Sequence, residues 1–151
     1  MKALIKINIL FISFLLFSPY TQAENSKELA MLGKKLWVAF ECSALASKSG
    51  NPKEQDRLFL YGYETGKKFI ESIKKNKIKK EDISSTAPIG VMMLLQGPST
   101  DFMLGRIFGG ALENALKDVF ITNEKYNSEE IQKIIAENKF QKQNCELIGK
   151  L

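Results

Sequence analysis

Histidine is absent from all 151 residues. Without an imidazole the chain cannot build a Ser-His or Cys-His nucleophile, a His-ligated zinc site or a proton shuttle working near neutral pH. Any catalysis would fall to carboxylates, tyrosine or lysine. Only two cysteines occur, Cys42 and Cys145. They lack a C-x-x-C spacing and any partner histidine, so neither a thiolate metal cage nor a thioredoxin-like redox pair is expected. Arginine is equally scarce, with Arg57 and Arg106 alone among 22 basic residues. No metal, no cofactor and no catalytic residue is assigned on this reading.

What is present begins with an address. Lys2 and Lys6 precede an apolar run from Ile9 to Phe17, and Thr21-Gln22-Ala23 offers a small-residue exit. A charged start, a short apolar stretch and such an exit are what export machinery reads, and the run is too short to cross a bilayer as a helix. Residues 1–23 are therefore expected to be a signal peptide and 24–151 one helical domain, periplasmic or secreted, with no membrane span in the mature chain. No cysteine follows the junction directly, so no lipid anchor is expected there. In an oxidising compartment Cys42 and Cys145 are expected to pair.

The net charge is +5, and two of the contributing lysines lie in the leader, leaving a mild basic excess. Lys74, Lys75, Lys77, Lys79 and Lys80 form the one dense cluster. It has no interleaved aromatic residues to stack bases, so it reads as a solvated helix end, and nucleic acid is not expected as a partner.

Apolar residues recur at three and four throughout, and no convincing strand is found. The expected fold is all-α, a single-domain bundle of four or five helices braced by one disulfide. A first helix from about Ser26 to Ser47 carries Leu29, Leu32, Leu36 and Phe40 on one line, while Lys27, Lys34, Glu41 and Lys48 form a polar stripe that turns Glu41 to water. Asn51, Pro52 and Glu54 are a helix start, opening a second helix to about Lys75 with Leu58, Gly62, Thr65 or Gly66, Phe69 and Ile73 inward. Lys77 to Thr86 breaks the pattern. Ile89 to Leu95 is apolar all round and reads as a buried short helix, with Met92 and Met93 as an adaptable contact surface in the alternative. Ser99 and Asp101 start a helix reaching about Ile121, with Leu104, Phe108, Ala111 or Leu112, Ala115 and Val119 inward. Asn127 and Ser128 open the last helix, with Ile131, Ile134 and Ile135 inward and an interruption at Asn138 to Gln143.

Two features invite a functional reading. Gly62 and Gly66, and Gly105 and Gly109, repeat at four within two helices, where each glycine costs roughly 1 kcal/mol relative to alanine. The expectation is that the two helices cross at these glycines; in the alternative, one glycine groove stays open for a partner. Arg57, Tyr61, Tyr63, Glu64, Asp101 and Arg106 are expected either to form one recognition patch, since tyrosine and arginine commonly anchor interfaces, or to serve as structural ion pairs with Asp56, Glu64, Asp101 or Glu113 as acidic partners. A carboxylate enzyme acting on the cell wall would draw on Glu41, Glu64, Asp101 or Glu113, yet no spacing selects a pair.

The leader, the helical plan, the cystine brace and the stretch Gly62-Tyr63-Glu64-Thr65-Gly66 together resemble small exported immunity proteins of the Rap and Tai kinds, which neutralise peptidoglycan amidases delivered by type VI secretion. Rap-like members tend to have more than two cysteines, and Gly97-Pro98-Ser99-Thr100-Asp101-Phe102 with Gly105-Arg106 has no counterpart there, so no inhibitory residues are carried over. The resemblance implies an exported domain that binds another protein and inhibits a cell-wall hydrolase. The alternatives are a periplasmic stress chaperone that exposes Ile89 to Leu95 on loosening and, less favoured, a carboxylate-dependent cell-wall enzyme. Self-association into a homo-oligomer is compatible with the sequence.

Overall fold

The computed structural model describes residues 20–150, with side chains from Asn25 onward. Residues 1–19 of the expected leader lie outside the described residues. The described chain is all-α apart from one minimal hairpin: α1 (Tyr20–Ser49), α2 (Pro52–Lys74), α3 (Lys80–Thr86), α4 (Ile89–Leu94), α5 (Thr100–Phe120), β1 (Ile121–Thr122), β2 (Lys125–Tyr126), α6 (Glu129–Lys142) and a 3-10 turn at Cys145–Leu147. The expected export junction Thr21-Gln22-Ala23 falls in the backbone of α1, which starts ahead of the expected Ser26.

Helix α1 is the axis on which the other elements pack. Leu36 and Phe40 join Phe69, Ile70, Leu104 and Ile107 in one core cluster, and Cys42 and Leu45 join Leu58, Ala115, Val119 and Cys145 in a second. The inward lines expected for the second helix and for the helix after Ser99 are buried except at Ile73 and Phe108, which are half-buried, because their apolar stripes are wide and regular enough to set the helix phase. The start signals also work as read. Asn51 accepts from the Glu54 backbone N–H at 3.2 Å, and Ser99 from that of Phe102 at 3.1 Å. Gly62 and Gly66 are buried where α2 lies close on α1.

Several expectations need correction. The helices number six among the described residues, because the polar stretch after Lys77 still forms α3. Its N-terminal end is tied to α1 by the buried hydroxyl of Ser26, which donates to Asp82 at 2.5 Å and accepts from the Lys79 backbone N–H at 2.9 Å. Helix α4 is not engulfed. Val91 is fully buried, but Ile89 and Met93 are 70% and 68% exposed, since a six-residue helix laid on α1 and α5 can cover only one of its sides. On α6 the buried residues are Gln132 and Ala136; of the three isoleucines expected inward, Ile135 is half-buried against the second cluster while Ile131 and Ile134 are exposed. Its phase is set from outside: Gln132 donates to the Asn127 carbonyl at 2.6 Å, Lys139 to the Ala115 carbonyl at 2.7 Å, and the chain beyond is held at Cys145. Helix α6 runs through Asn138 without the expected interruption and ends at Lys142, ahead of left-handed Asn144. Glu41 does not simply face water. It is half-buried and accepts from Trp37 Nε1 at 2.9 Å and Asn114 Nδ2 at 2.6 Å, tying α1 to α5.

Cys42 and Cys145 are both fully buried and form a disulfide, their Cα atoms 5.6 Å apart. No helix among the described residues is long and apolar enough to cross a membrane.

Candidate functional site

Helices α2 and α5 both lie on α1 and meet one another at Gly66 against Leu104, at Tyr63 with Asp101 and at Lys74 with Thr100; beside these contacts the space between them opens into a groove. Its upper part, about 270 Å³, is lined by Phe59 and Tyr63 of α2, by Asp101, Leu104, Gly105 and Phe108 of α5, and by Phe40 from the α1 floor. It meets a wider depression of about 620 Å³ at Phe108, which continues past Leu112 and Leu116 to Lys48 and to Glu129 and Lys133 of α6. The walls follow helical spacing: Gln55, Phe59 and Tyr63 at every fourth residue on one side, and Asp101, Gly105, Phe108 and Leu112 at four, three and four on the other.

The upper groove is aromatic. Phe108 stands edge-on to both Phe40 (centroids 5.3 Å) and Phe59 (5.2 Å), and Phe59 stacks on Tyr63 at 6.4 Å. Phe59 is 41% exposed despite these partners. The Tyr63 hydroxyl donates to Asp101 at 2.8 Å, crossing from α2 to α5. That bond to a carboxylate, assisted by burial and by the Asp101 charge, pushes the phenol up and keeps it protonated. Beside it Lys67 pairs with Glu64 at 3.2 Å and lies over the Tyr63 ring, and the Glu64 bond raises the Lys67 ammonium.

The glycines do not make the expected α2–α5 crossing. A methyl group at Gly62 would meet the Phe40 ring at 2.7 Å and Ala39 at 3.3 Å, so this glycine serves the approach of α2 to α1. At Gly66 it would strike Leu104 of α5, with Leu36 of α1 at 3.6 Å. Gly105 and Gly109 are exposed, with nothing within 4 Å of an added methyl group. Helix α5 thus carries two glycines whose cost no contact within the described chain explains.

The six candidate patch residues separate into three places. Tyr63, Glu64 and Asp101 come together at the upper groove. Arg106 folds back on its own loop, donating to the Gln96 carbonyl at 2.7 Å and lying over the Phe102 ring, which closes the Gly97-Pro98 turn before α5. Arg57 and Tyr61 sit at the C-terminal end of the chain. There Arg57 pairs with Glu54, Nη2 to Oε2 at 2.6 Å, and donates to the carbonyls of Ile148 at 2.5 Å and Cys145 at 3.3 Å. Its acidic partner is therefore Glu54 and none of the acids expected from the sequence. The planar fork lets one cation hold both oxygens of the carboxylate, Nε to Oε1 at 2.9 Å and Nη2 to Oε2 at 2.6 Å, together with two carbonyls, more bonds than the three donors of a lysine allow.

This clamp makes stability depend on pH in a definite direction. The Arg57 hydrogen bond holds the Glu54 carboxyl below its usual range, against the opposing effect of burial. A group with a depressed folded-state pKa contributes stability that is complete above its unfolded value and is lost as pH falls through the folded value. Wild-type protein is expected to lose stability to acid across that window, and Glu54→Gln to lose less over the same window while starting less stable at neutral pH. Chemical denaturation at stepped pH values measures both; parallel curves would show that the clamp is energetically silent.

The remaining acids do not gather. Glu41 is engaged with Trp37 and Asn114, Glu64 with Lys67 and Asp101 with Tyr63, while Glu113 borders a separate shallow depression beside Trp37. Among the described residues no cluster of three or more His, Cys, Asp or Glu is arranged to hold a metal ion. Sequence reading missed Phe59 and took Phe108 only as core. The detectable signal was the period-four series Gln55, Phe59, Tyr63, which lies beside the Leu58 and Gly62 line on the same helix. No family model matches the chain, and comparison with curated proteins and with solved structures gives no significant match.

Proposed function

We propose that this is an exported, disulfide-braced binding domain that grips another protein in the α2–α5 groove, acting without catalysis, and that the partner is a cell-wall hydrolase which it inhibits. The observation that carries the reading is Gly105 on the groove wall, exposed beside Phe59, Tyr63 and Phe108, where an added methyl group would meet nothing within 4 Å among the described residues. An uncovered helical glycine beside a half-exposed aromatic cluster suits a partner backbone that must come close while burying rings, and aromatic anchors of this kind dominate binding energies. The leader-like sequence and the disulfide favour an exported location. The chaperone alternative loses its premise of hidden apolar surface, because Ile89 and Met93 are exposed in the folded state.

The test uses oxidised protein as bait against periplasmic extract and competitor-cell secretions, followed by a peptidoglycan-hydrolysis assay on the captured partner. One partner at matched stoichiometry, with its hydrolase activity suppressed, is the expected result. Phe59→Ala should weaken that complex by about 2 kcal/mol, roughly thirtyfold, while the loss of its ring contacts with Phe40, Tyr63 and Phe108 lowers the melting temperature by only a few degrees and leaves the protein folded. Equal capture by wild type and Phe59→Ala would remove the groove from the mechanism. Peptidoglycan cleavage by the purified protein itself, abolished by changing one carboxylate, would replace binding with catalysis.

A further inference from the structure

A second groove lies on another side of the molecule, between α1 and the C-terminal turn, with a volume of about 440 Å³. Its apolar surface comes from Met31 and Val38 of α1, Tyr61 of α2, and Leu147 and Ile148 of the tail. Lys34 and Lys35 stand on its rim, both exposed, and among the described residues no acidic side chain lines it. Leu147 is 53% exposed and Met31 37%, so the apolar surface is open as the protein stands.

The tail wall is fixed in place. The disulfide holds Cys145, Arg57 holds the carbonyls of Cys145 and Ile148, and Gly149, at φ +75°, lets the backbone pass so close to the Tyr61 ring that a methyl group would lie 2.7 Å from it. A groove built by covalent and charged restraints is preorganised, which lowers the ordering cost of binding. Its volume lies in the range of small-molecule sites, whereas a protein partner would need a far larger contact. An apolar trough with a lysine rim and no opposing acid complements a chain that is apolar along its length and anionic at one end.

We propose that this groove binds a single-chain anionic amphiphile, a long-chain fatty-acid carboxylate, with the acyl chain along Met31, Val38 and Leu147 and the carboxylate at Lys34 and Lys35. The site is separate from the α2–α5 groove and does not depend on the protein partner proposed for it.

The probe is dodecanoate below its micelle threshold, titrated into isotopically labelled oxidised protein and followed by amide and methyl NMR, with dodecyltrimethylammonium as the cationic control. Saturable one-to-one binding is expected, with shifts at Met31, Val38, Tyr61, Leu147 and Ile148 and weaker affinity at high salt. Lys34→Glu with Lys35→Glu should weaken it roughly tenfold or more by reversing the rim charge. Leu147→Asp should do the same by placing a charge in the trough, and because all three positions are exposed the melting temperature should hold. Gly105→Trp, in the other groove, should leave dodecanoate binding intact. Non-saturating binding, shifts centred on Phe59 and Phe108, equal affinity for the cationic amphiphile, or indifference to the double lysine change would each overturn the assignment.

Discussion

Replacing Cys42 and Cys145 together by alanine is expected to remove roughly 4 to 5 kcal/mol of stability, the chain-entropy value for cross-linking residues about 100 apart. The bridge spans 103 positions, most of the described chain. For a domain of this size the loss corresponds to a fall in melting temperature on the order of 15 °C. Part of the effect should be local. Without the bridge the last turn keeps the Arg57 clamp and the contact of Gly149 with Tyr61, so amide exchange should rise first over residues 143–150 and at the C-terminal end of α6. Thermal melts with and without a thiol reductant, paired with hydrogen exchange, separate the two contributions. Coincident oxidised and reduced melts would mean that packing of the second core cluster alone holds the tail.

The second large effect concerns Gly105, where stability and binding should move in opposite directions. Alanine there meets no atom within 4 Å, so Gly105→Ala should stabilise α5 by about 0.5 to 1 kcal/mol, since glycine carries the greater entropy cost in a helix. Gly105→Trp should also leave the fold intact, its ring occupying the groove beside Phe59 and Phe108, and should weaken the proposed protein complex by a hundredfold or more, a loss of about 2.7 kcal/mol. Gly66→Ala is the internal contrast. Its methyl group strikes Leu104, which is only 2% exposed and cannot swing into solvent, so this variant should be destabilised by about 1 to 3 kcal/mol. Calorimetry on the three variants beside binding assays decides the matter. If Gly105→Trp binds like wild type, the open glycine has no role in recognition.

The different fates of the two glycine pairs show where the sequence stops informing. Spacing at four reports that a helix carries a small-residue groove, and it says nothing about what fills that groove. Gly62 and Gly66 are filled by Phe40, Ala39 and Leu104, whereas Gly105 and Gly109 are filled by nothing in the described chain. The scarcity of arginine singled out Arg57 and Arg106, yet their jobs depend on the backbone carbonyls of Ile148, Cys145 and Gln96, and a carbonyl leaves no trace in composition. Ile131 and Ile134 misled because α6 has a weak apolar stripe and takes its rotation from the tether at Cys145 and from Gln132 and Lys139.

By itself the sequence determined the all-α class, the two sharp helix starts at Asn51 and Ser99, most of the buried lines of α2 and α5, and the Cys42–Cys145 bond. These follow from local chemistry: capping hydroxyl and amide groups, regular apolar spacing, and two thiols with no other partner among the described residues. Only the tertiary structure decided that α2 and α5 leave a gap over α1 beside their contacts, that Phe59, Tyr63, Phe108 and Gly105 share one groove, and that Arg57 closes the tail over a second. Those outcomes depend on how side chains from distant positions fill space together. A sequence records its local preferences residue by residue, and the gaps left between packed helices are written in no single one of them.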